Sequence, residues 1–440
     1  NQPSGRVYDR GTVQHFRVNH VGVSLPAEIP AAGYATYTVR PAAPREPTRH
    51  PAVPGLATSE RSMENEHLAV TIESNGSLSL VDKRTGQGYS RLLTFEDIAD
   101  IGDGWYHGVA VNDQAYVSTA SPAAVALVHD GPFLTTFRVR TRLEVPAAFD
   151  FKDMVRTEAQ TELVIDSLIS LRPGAAHVEV ESTVHNHAMD HRLRVLFPSG
   201  ADTDTWLADT PFDVVERPIA IRADNHLYRE LEIESKPQRT WSAVADGTRG
   251  LAVISEGLLE TAMRDLPERP LALTLFRATR RTVNTAGEPE GQLQGDLHFR
   301  YWIAPLTGVP ATAAERATLY RLADRLACGI KAAQLQPVDG EQVRQVSDGA
   351  GLAMCGGLLT VDGPVVITSV EQRGETLEIR AFNPGVEPVN ATFCLTEAAG
   401  YTCAQLANLE GTLLSVELPV VDGAVTVPFG GKKIVTVQMS

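Results

Sequence analysis

Residues 161–184 decide the fold, because they carry two strand-like runs in direct succession. The first run is Thr161-Glu-Leu-Val-Ile-Asp-Ser-Leu-Ile-Ser-Leu171, and the second is His177-Val-Glu-Val-Glu-Ser-Thr-Val184. Apolar side chains recur at alternate positions in both runs, which is typical of strands that bury one face. Turn signals rather than a helical stretch separate the runs, so the pair predicts neighbouring antiparallel strands.

The same alternation continues on both sides of this stretch. Further strand-like runs lie at residues 67–72, 77–81, 124–128, 133–145, 192–197, 250–254, 271–276 and 297–303. Ser74-Asn-Gly76 marks a hairpin turn between the first two of them. Strands of this length, joined by turns, predict an all-β fold built on one large antiparallel β-sandwich.

The regions that flank the large sandwich have different patterns. Short alternating segments within residues 1–40 indicate strands, and the prolines that follow up to Pro54 indicate an extended linker. Apolar residues from Leu319 to Ile330 recur at spacings of three and four, which predicts one amphipathic helix over residues 311–333. From about residue 336, a last group of alternating runs predicts a smaller terminal β-sandwich.

Composition narrows the function classes. The chain has 440 residues and a formal net charge of -15, which argues against nucleic acid or an anionic membrane surface as a partner. No apolar run approaches the length of a membrane span, and the four cysteines include no C-x-x-C pair. We therefore expect reduced thiols in a cytoplasmic setting. Asn1 begins neither a signal peptide nor an initiator sequence, so we expect a fragment or a matured product of something longer.

The stretch from Phe95 to His107 is the best candidate for a functional element. It holds Asp97, Asp100, Asp103, two glycines and the adjacent Trp105 and Tyr106. The glycines and acids predict an irregular loop rather than a regular strand. An aromatic ring can cover the apolar face of a sugar while carboxylates accept its hydroxyl protons. The alternative is an ordinary acidic turn whose Trp105 is anchored in the sandwich core.

The sequence gives only weak indications of a metal site or of a catalytic site. His185, His187 and His191 invite a zinc site, but their polar segment joins two alternating runs, so a hydrogen-bonded turn is the favoured interpretation. A glycosidase needs two carboxylates that flank one bond, and the sequence alone places no such pair. The chain contains no G-x-S-x-G, H-E-x-x-H or P-loop motif, and no complete catalytic set is visible.

Several motifs in order resemble one family. The run from Glu64 to Gly86, with its Asn-Gly hairpin and Asp-Lys-x-Thr-Gly end, closely resembles the start of the C-terminal β domain of glycoside hydrolase family 38 α-mannosidases. The spacing is similar to bacterial, mannosylglycerate-hydrolase-like members. Collinear agreement follows at Phe95-Glu-Asp97 with Gly102-Asp103, Asp190-His-Arg-Leu-Arg-Val-Leu-Phe-Pro198, Phe212–Pro218, Arg249-Gly-Leu251, Leu273-Thr-Leu-Phe-Arg277, Phe299-Arg-Tyr301 and Leu377–Pro384.

The resemblance implies a fold and a division into domains. The fold is a large antiparallel supersandwich of the galactose-mutarotase type, with smaller flanking β-sandwich domains and one short helix. The implied division is the end of a small β domain (1–45), a proline-rich linker (46–63), the supersandwich (64–310), a helical connector (311–335) and a C-terminal β-sandwich (336–440).

The resemblance also implies a zinc-dependent, retaining α-mannosidase that hydrolyses α-mannosides. In the family, the zinc ligands and catalytic carboxylates lie in an N-terminal region that includes a His-x-Asp pair. None of the twelve histidines here is followed by x-Asp. We therefore expect no catalytic residue and no metal ligand in this chain. It would be inactive alone and would act together with an N-terminal catalytic domain of the same enzyme. A bacterial cytoplasmic location and possible homo-oligomers belong to the same expectation.

The family's C-terminal region lends an aromatic residue to the sugar in the cleft. The Phe-Glu-Asp…Gly-Asp motif places Trp105 at that position, where many bacterial relatives have tyrosine, so Trp105 or Tyr106 makes the contact, together with Asp103. Two other functions stay open. One is a stand-alone carbohydrate-binding β-sandwich module, and the other is a purely structural role in folding or oligomerisation.

Overall fold

The computed structural model describes residues 25–37, 53–105, 107–281, 289–332, 355–396 and 400–440, together with the backbone of two strands at residues 3–9 and 12–17. Antiparallel strands dominate this part of the chain, in agreement with the predicted all-β class. Three strands lie at its N-terminal end. They are β1 (Pro3–Asp9), β2 (Thr12–Arg17) and β3 (Gly33–Ala35).

The large sandwich contains the next twenty-two strands. In chain order they are β4 (Ala57–Ser59), β5 (Ser62–Glu64), β6 (Leu68–Ile72), β7 (Leu78–Asp82), β8 (Gln87–Leu92), β9 (Thr94–Ala99), β10 (Tyr116–Val117), β11 (Ala123–Gly131), β12 (Leu134–Pro146), β13 (Phe149–Asp150), β14 (Val155–Arg156), β15 (Gln160–Leu171), β16 (Val178–Asn186), β17 (His191–Pro198), β18 (Thr205–Thr210), β19 (Asp213–Pro218), β20 (Ser235–Pro237), β21 (Trp241–Ala245), β22 (Gly250–Ser255), β23 (Glu260–Met263), β24 (Pro270–Ala278) and β25 (Gly295–Pro305).

These strands form three main sheets. Strands β4 to β8 make a five-stranded meander, and a six-stranded sheet has the order β10-β9-β17-β24-β23-β20. A nine-stranded sheet has the order β11-β12-β15-β16-β25-β22-β21-β18-β19, so the runs at residues 161–171 and 177–184 are neighbours in it. One hydrophobic core contains side chains from all three sheets, including Leu80, Val195 and Ile165. Alternation along each strand supplies this core, because every second side chain points inward.

The helix α1 (Ala313–Cys328) connects the large sandwich to the terminal one. It is shorter than the predicted helix, because a Thr312–Glu315 capping box starts it and Gly329, at φ 62°, ends it. Ile330 therefore lies outside the helix and is exposed. Tyr320 packs with residues of both sandwiches in a second core. No helix among the described residues is long and apolar enough to cross a membrane.

The terminal sandwich contains the last ten strands of the chain. They are β26 (Cys355–Gly357), β27 (Leu359–Asp362), β28 (Val366–Arg373), β29 (Thr376–Phe382), β30 (Val389–Leu395), β31 (Ala404–Ala407), β32 (Leu413–Leu418), β33 (Val420–Val421), β34 (Ala424–Phe429) and β35 (Ile434–Met439). A four-stranded sheet (β27-β30-β34-β33) and a five-stranded sheet (β28-β29-β35-β31-β32) contribute to one apolar core. Strand β26 pairs with β3, so the N-terminal segment contacts the terminal sandwich.

Two sequence expectations need correction. The five-stranded sheet begins with β4 and the first two residues of β5, which lie within residues 46–63 that the sequence assigns to a linker. In addition, the first half of the candidate loop is not irregular. Residues 94–99 form β9, which pairs with β10 and β17, and its acids find buried arginine partners on other strands.

Candidate functional site

The residues from Asp100 to Gly108, here called the 100–108 loop, leave the end of β9 and return to the same place. The backbone N–H of Asp100 donates to the carbonyl of Asp190 (2.9 Å), one position beyond the last strand pair, Ala99 with His191. The N–H of Ile101 then donates to the carbonyl of Gly108 (3.0 Å) and closes the loop at its neck. This closure separates a buried neck from a tip that projects beyond the sheet.

One carboxylate organises the neck. Asp100 is 1% exposed, and its Oδ1 accepts the backbone N–H groups of Gly102 (3.0 Å) and Gly108 (3.1 Å). Arg277, at the end of β24, donates its Nε to Oδ2 of Asp100 (2.6 Å) and one terminal nitrogen to Oδ1 (3.2 Å). Four donors thus converge on one side chain, and the charge of the carboxylate is balanced by the guanidinium.

Glycine is required where the two ends of the loop meet. A Cβ added to Gly108 would lie 2.3 Å from the backbone nitrogen of Gly102, much closer than nonbonded atoms approach. The neck therefore depends on the absence of a side chain at position 108 as well as on the Asp100 carboxylate.

The tip carries two of the predicted site residues. Oδ1 of Asp103 accepts the backbone N–H of Trp105 (2.8 Å), a local turn typical of aspartate, and the carbonyl of Asp103 accepts from Arg277 (2.9 Å). The side chain of Trp105 is 69% exposed, so the alternative in which it anchors the loop in the core is wrong. Tyr106, the third predicted site residue, lies outside the described residues.

The other two acids of the stretch do not face solvent. Asp97 is fully buried, and its Oδ1 lies 2.6 Å from a guanidinium nitrogen of Arg156 while its Oδ2 contacts Nδ1 of His191. Asp100 is buried in the neck. The expectation that all three acids could accept sugar hydroxyl groups is therefore restricted to Asp103, because Asp97 and Asp100 already hold buried cations.

His107 lies beside the neck and is buried. Its Nε2 is 3.0 Å from the carbonyl of Ala99, so the neutral ring donates there. Burial, reinforced by the positive charge of Arg192, lowers the pKa of His107 to about 4. The imidazole is thus neutral near pH 7 and contributes one fixed hydrogen bond to the base of the loop.

The histidines that suggested zinc are separate structural elements. Nδ1 of His185 lies 2.6 Å from a carboxylate oxygen of Asp296. His191 is fully buried and places its two ring nitrogens against Asp97 and the Oδ1 of Asn186. Within the described part of the chain, no group of three possible ligands could hold a metal ion.

Buried ion pairs cover the outer face of the six-stranded sheet next to the loop. Arg194 donates Nε and a terminal nitrogen to Oε1 of Glu96 (3.0 and 2.6 Å), and Arg264 donates to Oε2 of Glu96 (2.7 Å). Arg192 donates to Glu260 (3.2 Å), and burial beside Arg194 lowers the pKa of Arg192 to about 10. Sequence reasoning missed this cluster, although the Asp190–Pro198 motif contains both arginines.

The loop and its partners lie in a region that matches a known family. A family model described as "Glycosyl hydrolases family 38 C-terminal domain" matches residues 63–283, just over half of the 440-residue chain. The chain belongs to glycosyl hydrolase family 38. The family 38 match includes the 100–108 loop, Arg277 and the outer face of the six-stranded sheet, and it agrees with the resemblance predicted from the sequence motifs.

Relatives of this family 38 chain are longer than it is. A protein of Halalkalibacterium halodurans, named "Putative mannosylglycerate hydrolase", is 27% identical over 270 residues, which cover 57% of this chain and 29% of the relative. An α-mannosidase of Enterococcus faecalis V583 aligns at 27% identity with a TM-score of 0.74, over 88% of this chain and 43% of that structure. A second family 38 structure from Enterococcus faecalis aligns with a TM-score of 0.71 at 27% identity, over 88% of this chain and 44% of its own.

Proposed function

We propose that this chain is the C-terminal, cleft-forming part of a zinc-dependent retaining α-mannosidase. The observation that carries the proposal is the exposed indole of Trp105, held on a closed loop of a family 38 chain. The indole contributes little to any core and is available to stack on a ligand. The apolar face of a pyranose ring fits that role, since aromatic rings bind such surfaces.

Trp105 and Asp103 divide the contact between them in this proposal. The indole supplies stacking area but no acceptor, since its nitrogen only donates. The carboxylate of Asp103, already oriented by the N–H of Trp105, is the acceptor for a sugar hydroxyl. Tyr106 is the alternative aromatic contact. Substrates are α-mannosides, and the mannosylglycerate hydrolase name of the Halalkalibacterium halodurans relative suggests small mannosides with a charged aglycone.

The chemistry of hydrolysis belongs to a partner region in this proposal. This chain would wall the cleft while an N-terminal catalytic domain supplies the metal and the catalytic carboxylates, as the resemblance to the family implies. The length of the Enterococcus faecalis structures, of which this chain covers 43% and 44%, leaves room for such a domain. We also propose the division into domains given above, with the linker shortened to end before β4, a bacterial cytoplasmic location, and homo-oligomers.

The test compares this chain with a complete enzyme that contains it. The 440-residue chain with added zinc should not hydrolyse an aryl α-mannoside, and turnover at a rate normal for the family would overturn the proposal. In the complete enzyme, Trp105→Ala should lower kcat/KM about tenfold, the effect of losing roughly 1.4 kcal/mol of ring contact. Trp105→Tyr should keep most of the activity.

A matched control uses another exposed apolar residue of the same sandwich. Leu227 is 72% exposed and is not part of the 100–108 loop, so Leu227→Ala should leave kcat/KM unchanged. If the isolated chain instead binds mannosides with no zinc and no associated hydrolase, the stand-alone carbohydrate-binding module is the better description. If Trp105→Ala changes neither binding nor kcat/KM, the loop has no role at the substrate.

A further inference from the structure

We propose that Arg277 and Asp100 are positioning residues that fix the 100–108 loop, and thereby Trp105, in its substrate-contacting place. The inference rests on the proposed function for its effect on turnover. Its structural content, an ordered loop tip that depends on Arg277, stands independently and is tested separately.

Arg277 connects the two parts of the loop. Its guanidinium holds the neck through Asp100 and the tip through the carbonyl of Asp103 (2.9 Å). Arg277 belongs to β24, which is separated from β9 by β17 in the six-stranded sheet. One residue on a neighbouring part of the sheet therefore holds both the neck and the tip of the loop.

The loop sequence makes such a support necessary. Gly102 and Gly104 flank Asp103, and glycine allows backbone conformations that other residues do not adopt. Trp105 itself buries little surface, so it contributes little to holding the tip in place. A displacement of about 1 Å at a site can lower the reaction rate up to about a hundredfold. Fixing the tip therefore affects turnover more than it affects the free energy of unfolding.

The chemistry of both residues is specific. Asn at position 100 would present amide hydrogens toward the guanidinium or toward the N–H groups of Gly102 and Gly108, where acceptors are needed. Lys at position 277 keeps the charge but loses the planar fork that bonds Asp100 through two nitrogens. We therefore expect Asp100→Asn and Arg277→Met to release the tip, and Arg277→Lys to have an intermediate effect.

The chain offers a closely matched control in a different sheet. Arg84 bonds Asp82 through Nε (2.8 Å) and a terminal nitrogen (2.9 Å), and that terminal nitrogen also reaches the carbonyl of Pro305 (2.9 Å). Asp82 is fully buried, as Asp100 nearly is. Arg84→Met thus removes the same kind of contact, far from the loop.

The first readout is ¹⁹F NMR of the 440-residue chain labelled with 5-fluorotryptophan. The chain has four tryptophans, and the resonance of Trp105 is the one lost in Trp105→Phe. We expect Arg277→Met and Asp100→Asn to narrow this resonance and shift it toward its position in urea, while the buried tryptophans and the Arg84→Met variant stay unchanged. An unchanged Trp105 resonance in both variants, or an equal change in Arg84→Met, would overturn the proposal.

A second measurement covers variants that fail to fold. In the unaltered chain, the backbone amides of Gly102 and Gly108 should exchange with solvent at least a hundredfold more slowly than those of an unstructured peptide, because Asp100 accepts both. Fast exchange of both amides would contradict a fixed neck directly. Arg277→Lys, which keeps the charge, gives a third variant for the NMR comparison.

The kinetic readout uses the complete enzyme. Arg277→Met should raise KM about tenfold with a smaller change in kcat, and the Arg277→Met/Trp105→Ala double variant should be no worse than Trp105→Ala alone, since both act through the same ring. Additive losses would overturn the claim that Arg277 acts through Trp105. If Trp105→Ala leaves kcat/KM unchanged, the proposed contact of the loop with substrate fails, while the NMR result still decides whether Arg277 holds the loop.

Discussion

The two sandwiches of this chain are built from the same kind of strands but treat charge differently. The six-stranded sheet of the large sandwich buries Asp97, Asp100, His191, Arg192 and Arg194 almost completely. Among the described residues of the terminal sandwich, the buried charged side chain is Glu378. It accepts from Arg380 (3.1 Å) and Gln438 (3.0 Å), and the core of this sandwich, to which Glu378 does not belong, is apolar. Strands in both sandwiches alternate inward and outward side chains, so the different number of buried charges does not come from the fold.

The difference shows where the molecule gives up stability for orientation. A buried ion pair gains little over a well-packed apolar pair, because removing both charges from water is expensive. The large sandwich concentrates such pairs around the 100–108 loop, where they fix directions as well as distances. The terminal sandwich has no comparable loop among its described residues. Its core is packed with apolar side chains, which avoids the free-energy cost of removing charges from water.

Removing one partner of a buried pair should give the largest effect. Arg194→Met would leave Glu96, which is nearly buried, with Arg264 as its remaining cation. We expect a loss of about 3–5 kcal/mol in the free energy of unfolding, measured by urea denaturation, because Glu96 keeps only one of its three hydrogen bonds from arginine and Glu234 loses its contact with Arg194.

The matched substitution in the terminal sandwich is Ile379→Val, which removes one buried methylene and should cost only about 1 kcal/mol. A loss below 1 kcal/mol for Arg194→Met would mean that water reaches Glu96. The contrast between the two sandwiches would then be much weaker than the structure indicates.

The pH dependence of stability should also differ between the two sandwiches. The pKa of His107 is about 4 in the folded chain and about 6.5 when unfolded, so between these values the unfolded state binds more protons. Stability is therefore fully present above pH 6.5 and is lost as the pH falls toward 4, by about 3 kcal/mol for this residue. His177, whose pKa burial also lowers to about 4, adds a loss of the same sign.

Hydrogen exchange at pH 7 and pH 4.5 measures this loss region by region. Residues 355–440 contain no histidine, so the terminal sandwich should lack this component of the pH dependence. His107→Gln should remove part of the loss, since glutamine can donate to the carbonyl of Ala99 without titrating. His298→Gln, on an exposed face, serves as the control. An unchanged slope in His107→Gln would place the acid sensitivity elsewhere.

Much of the fold follows from the sequence for a simple reason. Alternation survives in any strand that buries one face, so runs such as Thr161–Leu171 predict β15 within one residue. Alternation does not reveal a strand that is buried on both of its faces. Strand β9 reads as an acidic loop, yet its acids are buried because arginines from distant strands meet them.

The candidate site was predictable only in part. Trp105 and Asp103 could be named because the loop's motif is local, and the structure places them together at the tip. Arg277 contacts Asp100 across 177 positions of the chain, and Gly108 is required because its backbone approaches Gly102 closely. No local sequence pattern indicates either contact. Arg277 closes the Leu273–Arg277 motif, which is the one signal that could have drawn attention to it.

The helix between the sandwiches provides a smaller test. Thr312 and Glu315 form a capping box, so Thr312→Ala should cost about 1 kcal/mol. Since Tyr320 of this helix packs on both sandwiches, urea melts of both regions should shift together. Thr318→Ala, in the exposed middle of the same helix, should be neutral or slightly stabilising, because alanine has the higher helix propensity. A shift confined to one sandwich would show that the helix belongs to that sandwich alone.

The smallest expected effect is at the residue proposed to matter most for substrate. Trp105→Ala should change the free energy of unfolding by less than about 0.5 kcal/mol, because the indole is 69% exposed. Trp206→Ala is its counterpart in the core of the same sandwich and should cost about 3–5 kcal/mol, since that ring is 2% exposed and stacks with Arg217. A large loss for Trp105→Ala would mean that the ring supports the fold. The reason to assign it to a sugar would then disappear, because exposure without structural work is what distinguishes a binding residue from an anchor.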